Sequence, residues 1–117
     1  MNDNRSLAKA MAYECQAVLR AWHESDPALP RPLQPEHLLW MCKEICRHAK
    51  HWPLAKLHRW IGFVQAGLLA NQILTLDQIT RIFDESQAAH GAPTEDYDLI
   101  DHLNPAEALA IELGGPG

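Results

Sequence analysis

Apolar residues recur with the period of an α-helix along most of the first ninety residues. In residues 6–24, apolar side chains stand every three or four positions, at Leu7, Met11, Cys15, Val18 and Trp22. A helix turns by about 100° per residue, so these side chains share one face. The segment predicts an amphipathic first helix.

Residues 25–35, SDPALPRPLQP, contain four prolines. Proline fixes φ and lacks a backbone N–H, so no helix crosses this segment. A second helix is predicted from residue 35 or 36 to His51. Its apolar stripe is formed by Leu38, Met41, Cys42, Ile45 and Ala49.

A third helix is predicted from Pro53 to Ala70, because proline suits the first helical position. After Arg59 it carries no charge, and it is apolar on nearly every side. Such a helix is either surrounded by other helices or lies at a subunit interface. We expect self-association, with a symmetric dimer as the first choice. The candidate interface residues are Ile61, Phe63, Val64, Leu68 and Leu69.

The fourth helix is predicted after a T-x-x-Q pattern, Thr75 with Gln78, which is typical of a capping box. Asn71 is a candidate cap for the end of the third helix. The fourth helix continues to about His90, and a short further helix is expected at about 105–113. The predicted fold is all-α: a compact bundle of four main helices over residues 1–90, followed by an acidic tail, 91–117, that contains the short helix.

Length and composition agree with this architecture. The 117 residues predict one domain, and 47% hydrophobic with 21% charged residues is an ordinary globular composition. No apolar run is long enough to span a bilayer, and the first residues do not resemble a signal peptide. Three cysteines do not form a secreted disulfide framework. We expect a cytoplasmic protein without a membrane partner.

Charge is distributed unevenly along the chain. The net charge is −5, and residues 91–117 contribute −6, which leaves +1 for residues 1–90. An acidic tail repels nucleic acid at long range, so binding to duplex nucleic acid is disfavoured.

A basic and aromatic cluster lies between residues 43 and 60. Cations beside an indole ring can hold a phosphate while a base stacks on the ring. The candidate ligand-binding residues are Lys43, Arg47, His51, Lys56, Arg59 and Trp60. Three interpretations stand open: the cations bind a nucleotide-like ligand, they pair with the acidic tail, or they only solvate a helical hairpin in which Trp60 is buried.

Catalytic and metal-binding patterns do not emerge from the sequence. Cys42, Cys46, His48 and His51 fan around more than half of one helix, whereas structural zinc sites take ligands from two elements. The chain has no phosphate-cradling glycine loop and no nucleophile elbow. We predict a protein that is not an enzyme and has no metal and no cofactor.

Two motifs suggest a family. The segments H-L-L-W-M-C, His37–Cys42, and K-x-x-R-W-I-G-F-V-Q, Lys56–Gln65, resemble a group of small phage- and prophage-encoded proteins of unassigned function. The resemblance covers roughly residues 36–83, and Ala66 replaces a glycine that is frequent in the group. It implies an accessory phage protein and implies no catalytic residue.

Two functional hypotheses follow. The first is a small cytoplasmic phage-type accessory protein that acts by protein–protein interaction, as a homo-oligomer or with a host or phage protein. The alternative is a binder that sequesters a phosphate-bearing small ligand, such as a nucleotide or cyclic oligonucleotide, on the basic and aromatic cluster.

Overall fold

The computed structural model describes residues 3–90, which form four α-helices and no strand. The helices are α1 (Asn4–Arg20), α2 (Pro35–His48), α3 (Leu54–Ala70) and α4 (Leu76–His90). None of the helices in this part of the chain is long and apolar enough to cross a lipid bilayer. The all-α class predicted from the sequence is confirmed, whereas the predicted helix at 105–113 lies outside the described residues.

The helix in contact with all the others is α1. It packs against α2, α3 and α4, and α2 also packs against α3. Its stripe of Leu7, Met11 and Cys15 is buried in a core that all four helices share. Of the two alternatives for the apolar third helix, the one in which the other helices surround it is not observed, because α3 packs against α1 and α2 and the helix that packs against all three others is α1.

The first helix begins and ends earlier than the predicted range of 6–24. Asp3 caps it, because its carboxylate accepts a 2.7 Å hydrogen bond from the Ser6 backbone N–H. This bond lowers the pKa of the Asp3 carboxyl. At the other end the chain leaves the helix after Arg20, and Trp22 packs against the core from the following loop. Residues 23–26 are exposed, so extending the helix through them would bury little apolar surface.

The third helix ends at its predicted residue in a Schellman motif. The Ile73 N–H donates to the Leu68 carbonyl and the Gln72 N–H donates to the Leu69 carbonyl, both at 3.0 Å. Gln72 takes the left-handed conformation, with φ of 58°, that glycine usually supplies in this motif. Asn71 is the C-cap residue, as predicted, and its side chain donates to the Leu33 and Gly67 carbonyls.

The predicted capping box before α4 is confirmed. The Thr75 N–H donates to the Gln78 side-chain oxygen at 2.8 Å, and the Gln78 N–H donates to the Thr75 hydroxyl oxygen at 3.2 Å. Two of the amide groups that a helix start leaves unpaired are satisfied in this way. Helix α4 then contributes Ile79 and Phe83 to the core.

Helices α2 and α3 approach closely at one point. The fully buried Leu38 of α2 lies against Gly67 of α3, so closely that a Cβ atom at Gly67 would stand 2.6 Å from both Leu38 methyl carbons. Gly62, one turn and a half earlier on α3, has nothing within 4 Å of the same position. A Cβ atom can therefore be added at Gly62 without a clash, whereas at Gly67 it would collide with Leu38.

We expect Gly67→Ala to destabilise the fold and Gly62→Ala to stabilise it. Overpacking a filled core costs about 1–3 kcal/mol, while alanine in an open helical position gains up to about 1 kcal/mol over glycine. Urea unfolding followed by circular dichroism measures both changes. If Gly67→Ala were as stable as Gly62→Ala, the close contact would not be a constraint.

Candidate functional site

The most distinctive surface feature lies along the groove between α2 and α3, where five aromatic rings form a continuous row, called the aromatic cluster below. Its members are His37, Trp40, Trp60, Trp52 and His48. Ring centroids lie 5.3 Å apart for His37 and Trp40, 5.7 Å for Trp40 and Trp60, 4.7 Å for Trp60 and Trp52, and 4.9 Å for Trp52 and His48. The row brings residues of both sequence motifs into contact.

Helical spacing explains why the rings meet. On α2, His37, Trp40 and His48 stand three and eight residues apart, which puts them on one face. On the other side of the groove, Trp52 just before α3 and Trp60 within it are eight residues apart. Since Leu38 and Gly67 bring the two helices close, these faces oppose each other across the groove.

Lys56 places its ammonium group over the rings. Its Nζ atom is 3.9 Å from the Trp52 ring centroid and 5.6 Å from that of Trp60. A cation at these distances is attracted by the negative face of an indole, with an energy of about 0.5–1 kcal/mol at an exposed site and about 2 kcal/mol when it is desolvated. Lys56 thus stabilises the positions of the two rings.

Glu44 brings a carboxylate to the same groove. Its Oε2 atom lies 3.1 Å from Nε2 of His48, the ring that stacks on Trp52, and its other oxygen lies 3.7 Å from the Arg47 guanidinium. The Arg47 side chain is 72% exposed, so its ion pair contributes little to stability. The contact with His48 holds that ring against Trp52.

Arg5 of α1 supports the cluster from behind. Its guanidinium donates hydrogen bonds to the Ala49 carbonyl at 2.9 Å and to the Trp52 carbonyl at 2.6 Å. These acceptors lie in the turn between α2 and α3, and α2 ends at His48 rather than at the predicted His51. A residue 47 positions away in sequence therefore fixes the backbone that carries Trp52.

Two large apolar side chains of this surface are exposed to solvent. Trp40 is 49% exposed, and Phe63, three residues after Trp60 on the same side of α3, is 37% exposed. Trp52 and Trp60 are half-buried and pack against the core. We call Trp40, Trp60 and Phe63 together the aromatic face.

The predicted ligand-binding residues are only partly brought together. Lys56 and Trp60 are in contact with the cluster, and Arg47, His51 and Arg59 are exposed around it. Lys43 is exposed on α2, three residues after Trp40.

Three of the five predicted interface residues are in the core of the chain itself. Ile61, Val64 and Leu68 are at most 1% exposed because they pack inside the bundle. Assigning them to an interface between copies is wrong, since no partner can reach them. Phe63 is exposed and Leu69 is half-buried.

The cysteines are placed as small core residues. Burial raises the pKa of the Cys15 thiol to about 12 and also raises the pKa of Cys42 and of the half-buried Cys46. All three therefore stay protonated at neutral pH and are poor nucleophiles. Within residues 3–90, no three His, Cys, Asp or Glu side chains converge on a point that could hold a metal ion.

A separate cleft of about 330 Å³ lies between α1 and the end of α4. It is lined by Ser6, Lys9, Ala10, Tyr13, Glu14 and His90. Tyr13 is 66% exposed there. None of the residues predicted from the sequence to form a site lies in this cleft.

Sequence reasoning missed Trp40, His48 and Arg5 as parts of the site. Trp40 and His48 carried a detectable signal, because they share a helical face with His37 and Glu44 away from the apolar stripe. Arg5 carried none, because its two acceptors are backbone carbonyls whose position depends on the tertiary fold.

No protein-family model matches the chain, and no curated protein or solved structure is significantly similar to it.

We expect Arg5→Met to lower the free energy of unfolding by about 1–3 kcal/mol, since hydrogen bonds from charged groups contribute about that much. The change should also alter tryptophan fluorescence, because the Trp52 carbonyl loses the hydrogen bond from the Arg5 guanidinium. Arg81→Met, at an exposed arginine of α4, is the matched control. Equal stability of the two variants, measured by urea unfolding, would contradict a supporting role for Arg5.

Proposed function

We propose that the protein is a non-enzymatic interaction module that self-associates through its aromatic face. The observation that carries this proposal is the exposure of Trp40 and Phe63 beside the packed rings of Trp52 and Trp60. Tryptophan and other aromatic residues are enriched at protein interfaces and dominate their binding energy.

The rigidity of the rings supports this role. Trp40 is held by contacts with His37 and Trp60, so little rotamer freedom remains to be lost on binding. A large aromatic side chain buries about 150–250 Å² when it is fully covered. Covering the exposed half of Trp40 and the exposed part of Phe63 therefore removes substantial apolar area from water.

The biological setting is the one that the motif resemblance implies. We propose an accessory protein of a phage or prophage that acts in the cytoplasm, first as a symmetric dimer. In a second form of this proposal, the same aromatic face binds a host or phage protein.

A phosphate-bearing small ligand is the second candidate, favoured by the Lys56 ammonium at the rings and by the exposed Arg59 nearby. Ring geometry argues against it. The tryptophan planes are inclined by 46° and 60° to one another at centroid distances of 4.7–5.7 Å, so no parallel pair of indoles encloses a base. The Glu44 carboxylate in the groove also repels a phosphate.

For self-association, we expect Trp40→Ala to weaken the dimer by at least about tenfold in Kd, since a central tryptophan often contributes 2 kcal/mol or more. Tyr13→Ala, at an aromatic residue of α1 that is even more exposed, should leave Kd unchanged. Sedimentation equilibrium of the full chain measures both. A wild-type chain that stays monomeric, or a Tyr13 variant as weak as the Trp40 variant, contradicts the proposal.

For the second candidate, native mass spectrometry and titration calorimetry with ATP and with cyclic di-adenylate provide the test. Ligand binding would add the mass of the nucleotide, weaken at high salt because the charges are exposed, and fall on Arg59→Ala. A Trp60 variant is unsuitable for this test, because Trp60 packs against the core and its loss would also affect the fold. Retained binding in Arg59→Ala, compared with Arg81→Ala, would exclude Arg59 from the ligand site.

A further inference from the structure

Three cations form a row along the solvent side of α2 and the turn that follows it. Lys43 and Arg47, four residues apart, share one face of the helix, and Lys50 continues the row in the turn. All three are exposed. The fully buried Leu38 and Ile45 lie on the opposite face of α2. The three cations, called the basic strip below, are therefore free of any role in the core.

The charges around the basic strip do not neutralise it. Glu44 pairs with the mostly exposed Arg47 at 3.7 Å, a contact that contributes little. The other acid of α2, Glu36, stands seven residues before Lys43, which is about 10 Å along the helix axis. Residues 43–59 contain five Lys and Arg and one Glu, so this part of the surface has a net charge of +4.

The described part of the chain ends on the side of the bundle where the basic strip ends. His90, the last described residue, shares the wall of the cleft between α1 and α4 with Ser6. Arg5, the neighbour of Ser6, donates both of its hydrogen bonds to carbonyls of the turn that carries Lys50. The chain that continues from His90 therefore starts on the same side of α1 as this turn.

The continuing chain is complementary to the basic strip in charge. Residues 91–117 contain six acids and no Lys or Arg. Four of the acids lie within residues 95–101, called the acidic segment below: Glu95, Asp96, Asp98 and Asp101. They follow His90 by five to eleven residues, and an extended chain of that length reaches about 17–40 Å. Because the segment is tethered, its effective concentration at the bundle is in the millimolar range.

We propose that the acidic segment binds the basic strip of its own chain, so that carboxylates of residues 95–101 pair with Lys43, Arg47 and Lys50. Acidic tails often act as interaction segments, and hydrogen bonds between ionised partners are stronger than those between neutral ones. The bound segment covers cations that would otherwise attract a phosphate-bearing ligand. The contact does not depend on the proposed self-association, because the strip does not include the aromatic face.

Carbodiimide crosslinking of the full chain tests the contact, because this reagent joins a carboxylate to a lysine amine that touches it. Lys9 is the internal control for mere proximity, since it lies in the cleft beside His90, where the continuing chain starts. We expect peptides from residues 95–101 to be joined to Lys43 and Lys50 rather than to Lys9. The yield should fall in about 1 M salt, which screens exposed charges.

A charge variant shows whether the basic strip itself attracts the segment. Arg47→Gln removes the cation between Lys43 and Lys50 and keeps both crosslinking lysines. We expect it to lower their yield about two- to fivefold, which corresponds to the loss of one exposed ion pair. Arg81→Gln, at an exposed arginine of α4, is the matched control and should leave the yield unchanged.

Three results would overturn the contact: crosslinks mainly to Lys9, equal yields in the two arginine variants, or no crosslink from the acidic segment. A mixture of unlabelled and isotope-labelled chains adds a fourth. Crosslinks that join a labelled to an unlabelled peptide would show that the segment binds a second copy instead of its own chain. Sedimentation equilibrium measures the oligomeric state separately, so self-association can fail while the contact within the chain stands, and the reverse.

Discussion

The contact between Leu38 and Gly67 is the constraint on which the surface of this protein depends. Because Gly67 has no side chain, the Leu38 methyl groups can occupy the space beside the α3 backbone. The helices then lie close enough for Trp40 on one to meet Trp60 on the other. A Cβ atom at position 67 would stand 2.6 Å from both Leu38 methyl carbons, so Leu38 or the helix that carries it would have to shift.

The rings of this groove hold one another in place at the edge of the core. Trp52 and Trp60 have one side against buried aliphatic residues and the other toward the groove, where Lys56 and His48 cover part of it. Trp40 lies outermost and keeps about half of its surface in water. From Trp52 and Trp60 to Trp40, the cluster therefore passes from the edge of the core to the open surface.

Much of the fold could be predicted from the sequence because local rules govern it. The three-to-four spacing of Leu7, Met11 and Cys15 places one face in the core, and the Thr75–Gln78 pattern closes the start of α4 through bonds within four residues. The candidate site depends on contacts between helices, which local rules do not reveal. A helical wheel shows that Ile61 and Phe63 point in different directions, but it does not show that α1 and α2 cover the former and leave the latter exposed. Arg5 reaches carbonyls more than forty residues away, which no local pattern reveals.

The central place of α1 has a consequence for how the chain acquires its structure during synthesis. The helix that all the others pack against is made first, and its apolar face has no partner until α2 has been made. The acceptors of Arg5 come 44 and 47 residues later, so the turn that carries Trp52 closes only after half of the bundle has been translated. Contacts so distant in sequence slow folding. An incomplete chain that ends before α3 would expose the apolar face of α1 to other proteins, and nascent chains of this kind are the ones that chaperones recognise.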